Sequence, residues 1–204
     1  MLLVFDSLVE MKKLLGIVVL GLLIYTTPSK AIDLRDFQIE GISILDSATD
    51  HFSIDKIKNN TRNYFKNNKF TPVDFEINSS EMYSAIQFAF ATNDNQFKIT
   101  SLNGIIDFPN NIDKCNSKKN EIVSQISDLV KGFSKKIDTG VQQHPADKHS
   151  SYSEIRFELD SGDNIYIKCT DWSDQIGYTD HLKVGIETKE FHDWYHNIGY
   201  YISK

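Results

Sequence analysis

Between Glu154 and Ile186, apolar and polar residues alternate through three consecutive runs. Ile155, Phe157 and Leu159 alternate with Glu154, Arg156, Glu158 and Asp160; Ile165, Ile167 and Cys169 alternate with Tyr166, Lys168 and Thr170; Leu182, Val184 and Ile186 repeat the period. A period of two belongs to a strand buried on one face and wet on the other, so the stretch predicts a three-stranded antiparallel meander. Ser161-Gly162-Asp163-Asn164 supplies the small, turn-tolerant residues that close the first two strands into a hairpin. A second set of alternating runs lies upstream: Val73, Phe75 and Ile77; Ile86, Phe88 and Phe90; then Phe97 and Ile99, with Leu102 to Phe108 resuming after a bulge expected near Asn103-Gly104.

The period changes between the two meanders. From Ile112 to Phe133 the apolar positions Cys115, Ile122, Ile126, Leu129, Val130 and Phe133 keep the steps of three, four and seven of an amphipathic helix, with Asn110 or Asn111 as cap and Gly132 at its end. Thr188 caps a final helix whose stripe is Phe191, Trp194, Tyr195, Ile198 and Ile202. Ahead of the first strands, Ile32 to Leu45 reads as extended, anchored by Phe37, Ile39 and Ile42 or Ile44. Asp46 and Ser47 cap a short turn there, and Ser53 caps a helix from Ile54 to Asn60. Ser134 to Ser153 is polar and has no period; at 20 residues it exceeds the usual connection and is expected to be a disordered or functional loop. The order predicts an α+β fold: two helix-plus-antiparallel-meander modules in tandem, about 32-110 and 111-204, with a C-terminal helix packed on the sheet.

The N-terminus changes where this fold is placed. Met11-Lys12-Lys13, the apolar run Leu14 to Ile24 and Pro28-Ser29-Lys30-Ala31 have the three regions of a secretory signal peptide, so residues 1-31 are expected to be removed, with cleavage before Ile32. Residues 1-10 precede a complete signal and are expected to be an upstream start. The apolar run is 11 residues, short of the roughly 20 that span a bilayer, so no stable membrane insertion is expected after cleavage. The remaining 173 residues form a single domain of 32-204, localised as periplasmic or secreted.

Charge narrows the partners. Of 28 acidic and 22 basic residues, 26 and 19 remain after cleavage, for a net charge of −7, which excludes an electrostatic case for nucleic acid. The two cysteines, Cys115 on the helix stripe and Cys169 on the apolar sheet face, enter an oxidising compartment and are expected to form one disulfide.

Three patterns suggest chemistry. His192-Asp193-Trp194-Tyr195-His196 places two histidines four apart on one helix face, as in zinc helices. The acid is Asp where that motif has the longer Glu, and only eight residues remain to furnish a third ligand, so the pattern reads as a helix flank. In the 142-151 loop, His144, Asp147 and His149 have the types and spacing of metal ligands, for Zn or Ca, with Asp171, Asp174, Asp180 or His181 able to complete the shell. The connector from Asp171 to Asp180 holds Trp172 and Tyr178 among Asp171, Asp174 and Asp180. It is either a recognition surface for a sugar, a peptide or a cationic group, or an aromatic lid with the aspartates capping turns. No G-x-S-x-G, P-loop, G-x-G-x-x-G or C-x-x-C occurs.

The signal ending at Ala31, Phe37-Gln-Ile-Glu-Gly-Ile-Ser-Ile, His144-Pro-Ala-Asp-Lys and Asp171-Trp-Ser-Asp-Gln-Ile-Gly-Tyr-Thr-Asp resemble a group of short exported proteins of marine alphaproteobacteria. That resemblance implies no activity and transfers no catalytic residue. The helix-and-meander order is also similar in architecture to tandem modules of the β-lactamase-inhibitor-protein type and to small outer-membrane assembly lipoproteins, although the lipobox Cys of the latter is missing. The sequence therefore supports a non-enzymatic exported (periplasmic) binding or accessory protein, without cofactor, that meets a periplasmic or envelope protein through an open sheet face and loops. The alternative is a metal-dependent hydrolase centred on His144, Asp147 and His149.

Overall fold

The structure is a computed structural model that describes residues 33–199 except Lys66, Asn78, Ser79 and Glu81. The signal segment and Ile202 lie outside the described residues. A short 3-10 turn, Leu34–Asp36, leads into a two-stranded hairpin, β1 (Gln38–Ile39) and β2 (Ile42–Ser43). Two short helices follow, α1 (Ala48–His51) and α2 (Ile54–Asn59), capped by Ser47 and Ser53 as predicted; Ile57 is buried, but Ile54 turns outward. Strands β3 (Phe70–Glu76), β4 (Ala85–Ala91) and β5 (Ile99–Asp107) form the upstream meander. Helix α3 (Ile112–Leu129) separates them from β6 (Ser134–Gln143), β7 (Ser151–Leu159), β8 (Asn164–Asp171) and β9 (His181–Glu187). The chain described ends with α4 (Lys189–Trp194), which runs on as a π-helical turn, Tyr195–Gly199.

All seven long strands belong to one antiparallel sheet in the order β3-β4-β5-β9-β8-β7-β6. The fold is α+β with antiparallel sheets and a C-terminal helix, as the alternation predicts. The two meanders are joined edge to edge, because β9 returns to pair with β5 from Ser101↔Glu187 to Asp107↔His181. One face of this sheet carries the core. Helix α3 packs over β8 and β9, burying Cys115, Ile122 and Ile126 against Ile165, Ile167 and Leu182, and Cys115 is bonded to Cys169. The hairpin, α1 and α2 cover the other half of the same face, where Phe52 stacks on Phe75 and Phe88.

Two local expectations are corrected. Ser134 to Gln143 is an edge strand, not loop: it pairs with β7 through backbone groups, and its side chains are mostly exposed, so no apolar alternation marks it. Lys135, Lys136 and Asp138 charge this edge against pairing with another chain. The bulge falls not at Asn103-Gly104 but at Thr100, the extra residue on β5 opposite Ala89 and Phe90. Gly104 stays in register with Ile86 and Val184; a Cβ there would come within 2.3 Å of the Tyr83 ring, so this glycine serves close packing.

Candidate functional site

The opposite face of the sheet is polar over most of its area, and antiparallel register arranges its side chains in rows across the strands. Asn103, Gly185, Tyr166 and Arg156 form one row; Ile105, Lys183, Lys168 and Glu154 the next; Asp107, His181, Thr170 and Tyr152 a third. Helix α4 covers the far end, where Phe191 and Trp194 pack on Phe70 and Ala89. The rest of the face is only partly covered. Tyr166 lies flat over Gly185 and donates its hydroxyl hydrogen to Asn103 Oδ1 at 2.5 Å. Burial pushes its ionisation well above the usual phenol range, so the hydroxyl stays a donor.

Beside Tyr166, Lys168 and Lys183 stand directly opposite each other on β8 and β9. Like charges in a cross-strand pair oppose folding. Lys168 Nζ is 5.7 Å above the centroid of the Tyr152 ring and 5.6 Å above that of Tyr166, which stabilises its charge through the ring quadrupoles. Among the described residues no ring supports Lys183 in this way. Burial, then Lys168, push its ammonium down to about 7, while Asp74, Glu187 and Glu154 oppose the fall. It therefore loses and gains a proton near neutral pH.

At the third row the two sequence-predicted loops come together. His144 is buried and its ring centroid is 4.2 Å from that of Trp172; Tyr178 stands edge-on to Trp172 at 5.1 Å. Asp147 accepts from the hydroxyls of Ser150, at 2.6 Å, and of Ser173, at 2.5 Å, so one carboxylate ties the 144 to 150 turn to the connector. Those two bonds hold it down to about 2. Burial, with Lys168 and Lys183 nearby, lowers His144 to about 4, and its Nδ1 accepts from the Ala146 N–H. His181 is lowered to about 4 by burial and Lys183. Its Nδ1 lies 2.9 Å from the Thr179 carbonyl and so carries the hydrogen; the Trp172 indole, 3.4 Å from that same nitrogen, makes a ring contact rather than a second bond.

Each sequence-predicted residue can now be placed. Asp180 is buried and accepts from the Trp172 backbone N–H at 2.8 Å, the turn-capping role. Asp171 is half-buried, its carboxyl pushed up by burial and by Asp180, while Asp174 is exposed. Trp172 is half-buried and Tyr178 is 63% exposed, so the pair forms a shelf with one open side. His149 is exposed, and the ligand atoms of His144, Asp147 and His149 do not converge. Among the described residues, convergence of three such groups occurs instead at Glu187, His192 and His196.

That cluster sits under α4. His192 Nδ1 is 3.0 Å from Glu187 Oε2, and Arg156 reaches His192 Nε2 at 2.9 Å, His196 Nε2 at 3.2 Å and Glu154 Oε1 at 2.5 Å. A guanidinium only donates, so both imidazole Nε2 atoms accept; His192 carries its hydrogen on Nδ1 and gives it to Glu187. The protein packed around its ring, with Arg156 beside it, holds His196 below the usual imidazole range although the residue is exposed. Arg156 Nε is buried without a hydrogen-bond partner among the described residues. Sequence reasoning missed Glu187 as a companion of the H-D-x-x-H pattern because it lies upstream, across the Thr188 cap. The signal available was a carboxylate one turn before the first histidine at the end of a strand.

No protein-family model matches the chain, and no curated protein does. Among solved structures, the solution structure of cyanobacterial PsbP (CyanoP) from Synechocystis sp. PCC 6803 aligns with a TM-score of 0.31 and 7% identity, over 63% of this chain and 78% of that one. At that level the likeness carries no argument about fold or function.

Proposed function

We propose that this is a non-enzymatic exported (periplasmic) binding or accessory protein, and that it holds an envelope protein partner at the end of the polar sheet face where Lys168 and Lys183 meet the Trp172 and Tyr178 shelf. The observation that carries the reading is the lysine pair. Two lysines placed opposite each other on adjacent strands cost stability because each disfavours the charge of the other, and among the described residues neither bonds to a carboxylate, whereas a partner's acidic side chain between them would favour the charged form of both. Trp172 and Tyr178 add a rigid, half-open aromatic anchor of the kind that dominates protein interfaces. The disulfide between Cys115 and Cys169 suits an oxidising compartment. The hydrolase alternative gains nothing from the loop: its Asp147 is engaged by two hydroxyls, and the ligand atoms of His144, Asp147 and His149 do not converge.

A benzophenone side chain installed in place of Tyr178, photolysed in living cells, tests this. A discrete adduct with an envelope protein is expected, and Trp172→Ala or Lys183→Met is expected to remove it. The same Lys183→Met protein is expected to be more stable than the parent at neutral pH, by on the order of 1 kcal/mol in urea denaturation, because it removes an amine whose charged form burial and Lys168 both disfavour. An adduct that survives both substitutions would sink the assignment of this surface.

A further inference from the structure

We infer that Glu187, His192 and His196 form a binding site for a borderline first-row divalent cation of the Zn²⁺ type, gated by the guanidinium of Arg156. The three side chains each bring one ligand atom within 4.8 Å of the others. A tetrahedral ion with bonds of about 2.0 to 2.2 Å needs its ligands roughly 3.3 to 3.6 Å apart. His192 Nδ1 and Glu187 Oε2, at 3.0 Å, already stand at nearly that separation. The His196 ring stands beside them, its centroid 4.3 Å from that of His192.

The fold places these donors for reasons independent of any ion. Glu187 ends β9 on the polar face, and Thr188 starts α4 immediately after it, so His192 rises one turn above the carboxylate and His196 a turn further. Two imidazoles and one carboxylate suit Zn²⁺ and its first-row neighbours rather than the oxygen-rich preferences of Ca²⁺ or Mg²⁺. Three protein ligands leave a fourth position for water.

Charge favours the same conclusion. Glu187 is 4% exposed and its direct partner is the His192 ring, while Glu154 is matched by Arg156. A buried carboxylate is stabilised by a cation coordinated to it. Arg156 is the obstacle, since it occupies a lone pair on each histidine. If the ion takes His192 Nδ1, the ring hydrogen moves to Nε2 and faces the guanidinium donor for donor; if it takes Nε2, it displaces Arg156 directly. In both cases the guanidinium must leave the histidines, and it keeps Glu154 as its anchor. Metal binding would then tie the π-helical turn after α4 to the last strand of the sheet.

The test uses the full chain and Zn²⁺ alone, in competition with a chromophoric chelator at neutral pH, with circular dichroism to establish that each variant is folded. One Zn²⁺ per chain is expected. His196→Ala and Glu187→Gln are expected to weaken it by roughly tenfold or more, and Arg156→Gln to tighten it by a similar factor. His149→Ala, in the other histidine-containing loop, is expected to change nothing. Co²⁺ in the Arg156→Gln protein should give a visible absorption band that Glu187→Gln removes, which separates ligation from a merely structural effect of the carboxylate. Binding that persists in His196→Ala and disappears in His149→Ala would overturn the inference, as would absence of Zn²⁺ binding in folded parent and Arg156→Gln alike.

Discussion

Gly185 and Tyr166 show how one residue shapes the polar face. A Cβ at position 185 would lie 2.3 Å from the Tyr166 ring and 2.4 Å from Asn103 Oδ1, so the glycine is what lets the ring lie flat and reach across β9. Backbone is not the reason, since Gly185 is not among the residues with positive φ. Gly185→Ala is therefore expected to destabilise by about 1 to 3 kcal/mol in urea denaturation, as overpacking does. Tyr166→Phe keeps the ring and removes only the hydroxyl, leaving Asn103 Oδ1 without its donor, and is expected to cost about 1 to 2 kcal/mol. Tyr166→Ser in the Gly185→Ala background should recover the part of the loss that comes from the clash; no recovery would mean that Gly185 matters for some other reason. The alternating pattern of the sequence puts Tyr166 on the wet face correctly, but nothing in it indicates that the ring would cover a glycine on the neighbouring strand.

At the scale of elements, the disulfide joins α3 to β8 across the core and closes a loop of 54 residues. Chain entropy alone gives such a link about 4 kcal/mol. Cys115→Ala with Cys169→Ala is expected to lower the urea midpoint by a corresponding amount, and the two single variants should behave alike. A loss near zero would mean that α3 is held by packing of Ile122 and Ile126 alone. The pairing was legible because both cysteines fall at apolar positions of strongly periodic elements. Strand β6 was not legible, because an edge strand with both faces wet has no reason to alternate; its position is set by backbone bonds to β7. The end of the last helix was half legible. Phe191 and Trp194 bury as the stripe predicts, but the helix passes into a wider π turn after Trp194, which takes Ile198 out of the stripe to 53% exposure.

Stability of the whole molecule should depend on pH through the groups that the face buries. His144 and His181 are each lowered to about 4, below the 6.5 of the unfolded chain. As pH falls from about 6.5 to 4 the unfolded chain takes up these protons first, so the stability they contribute is complete above 6.5 and is lost across that window. The contribution of the buried His144 is about 3 kcal/mol at most. Lys183, lowered to about 7 from 10.5, acts in the same direction at higher pH: the unfolded chain keeps a proton that the folded one has released, so its contribution to stability grows as pH rises from 7 to 10.5. Urea midpoints should fall between pH 6.5 and 4, and His144→Gln should flatten that slope. An equal slope in parent and variant would show that His144 titrates normally in the folded chain.

The sequence by itself determined the elements whose apolar positions repeat, the α+β class, the cap residues Ser47, Ser53, Asn111 and Thr188, and the pairing of the two cysteines, because each depends on contacts within a run or on a face of fixed period. It also indicated the Trp172 connector and the His144 turn as places where aromatic and polar groups gather. Only the tertiary structure decided that these two loops touch, that Lys168 stands opposite Lys183, and that Glu187 completes a cluster with His192 and His196. The loops meet because β7 pairs with β8 with Ser151 opposite Asp171, and the lysines because β9 returns between β8 and β5, a pairing partner some eighty residues upstream, while Arg156 joins the Glu187 cluster from β7, across β8. A one-residue slip would send every one of these side chains to the other face, and alternation within a single strand carries no record of the strand beside it.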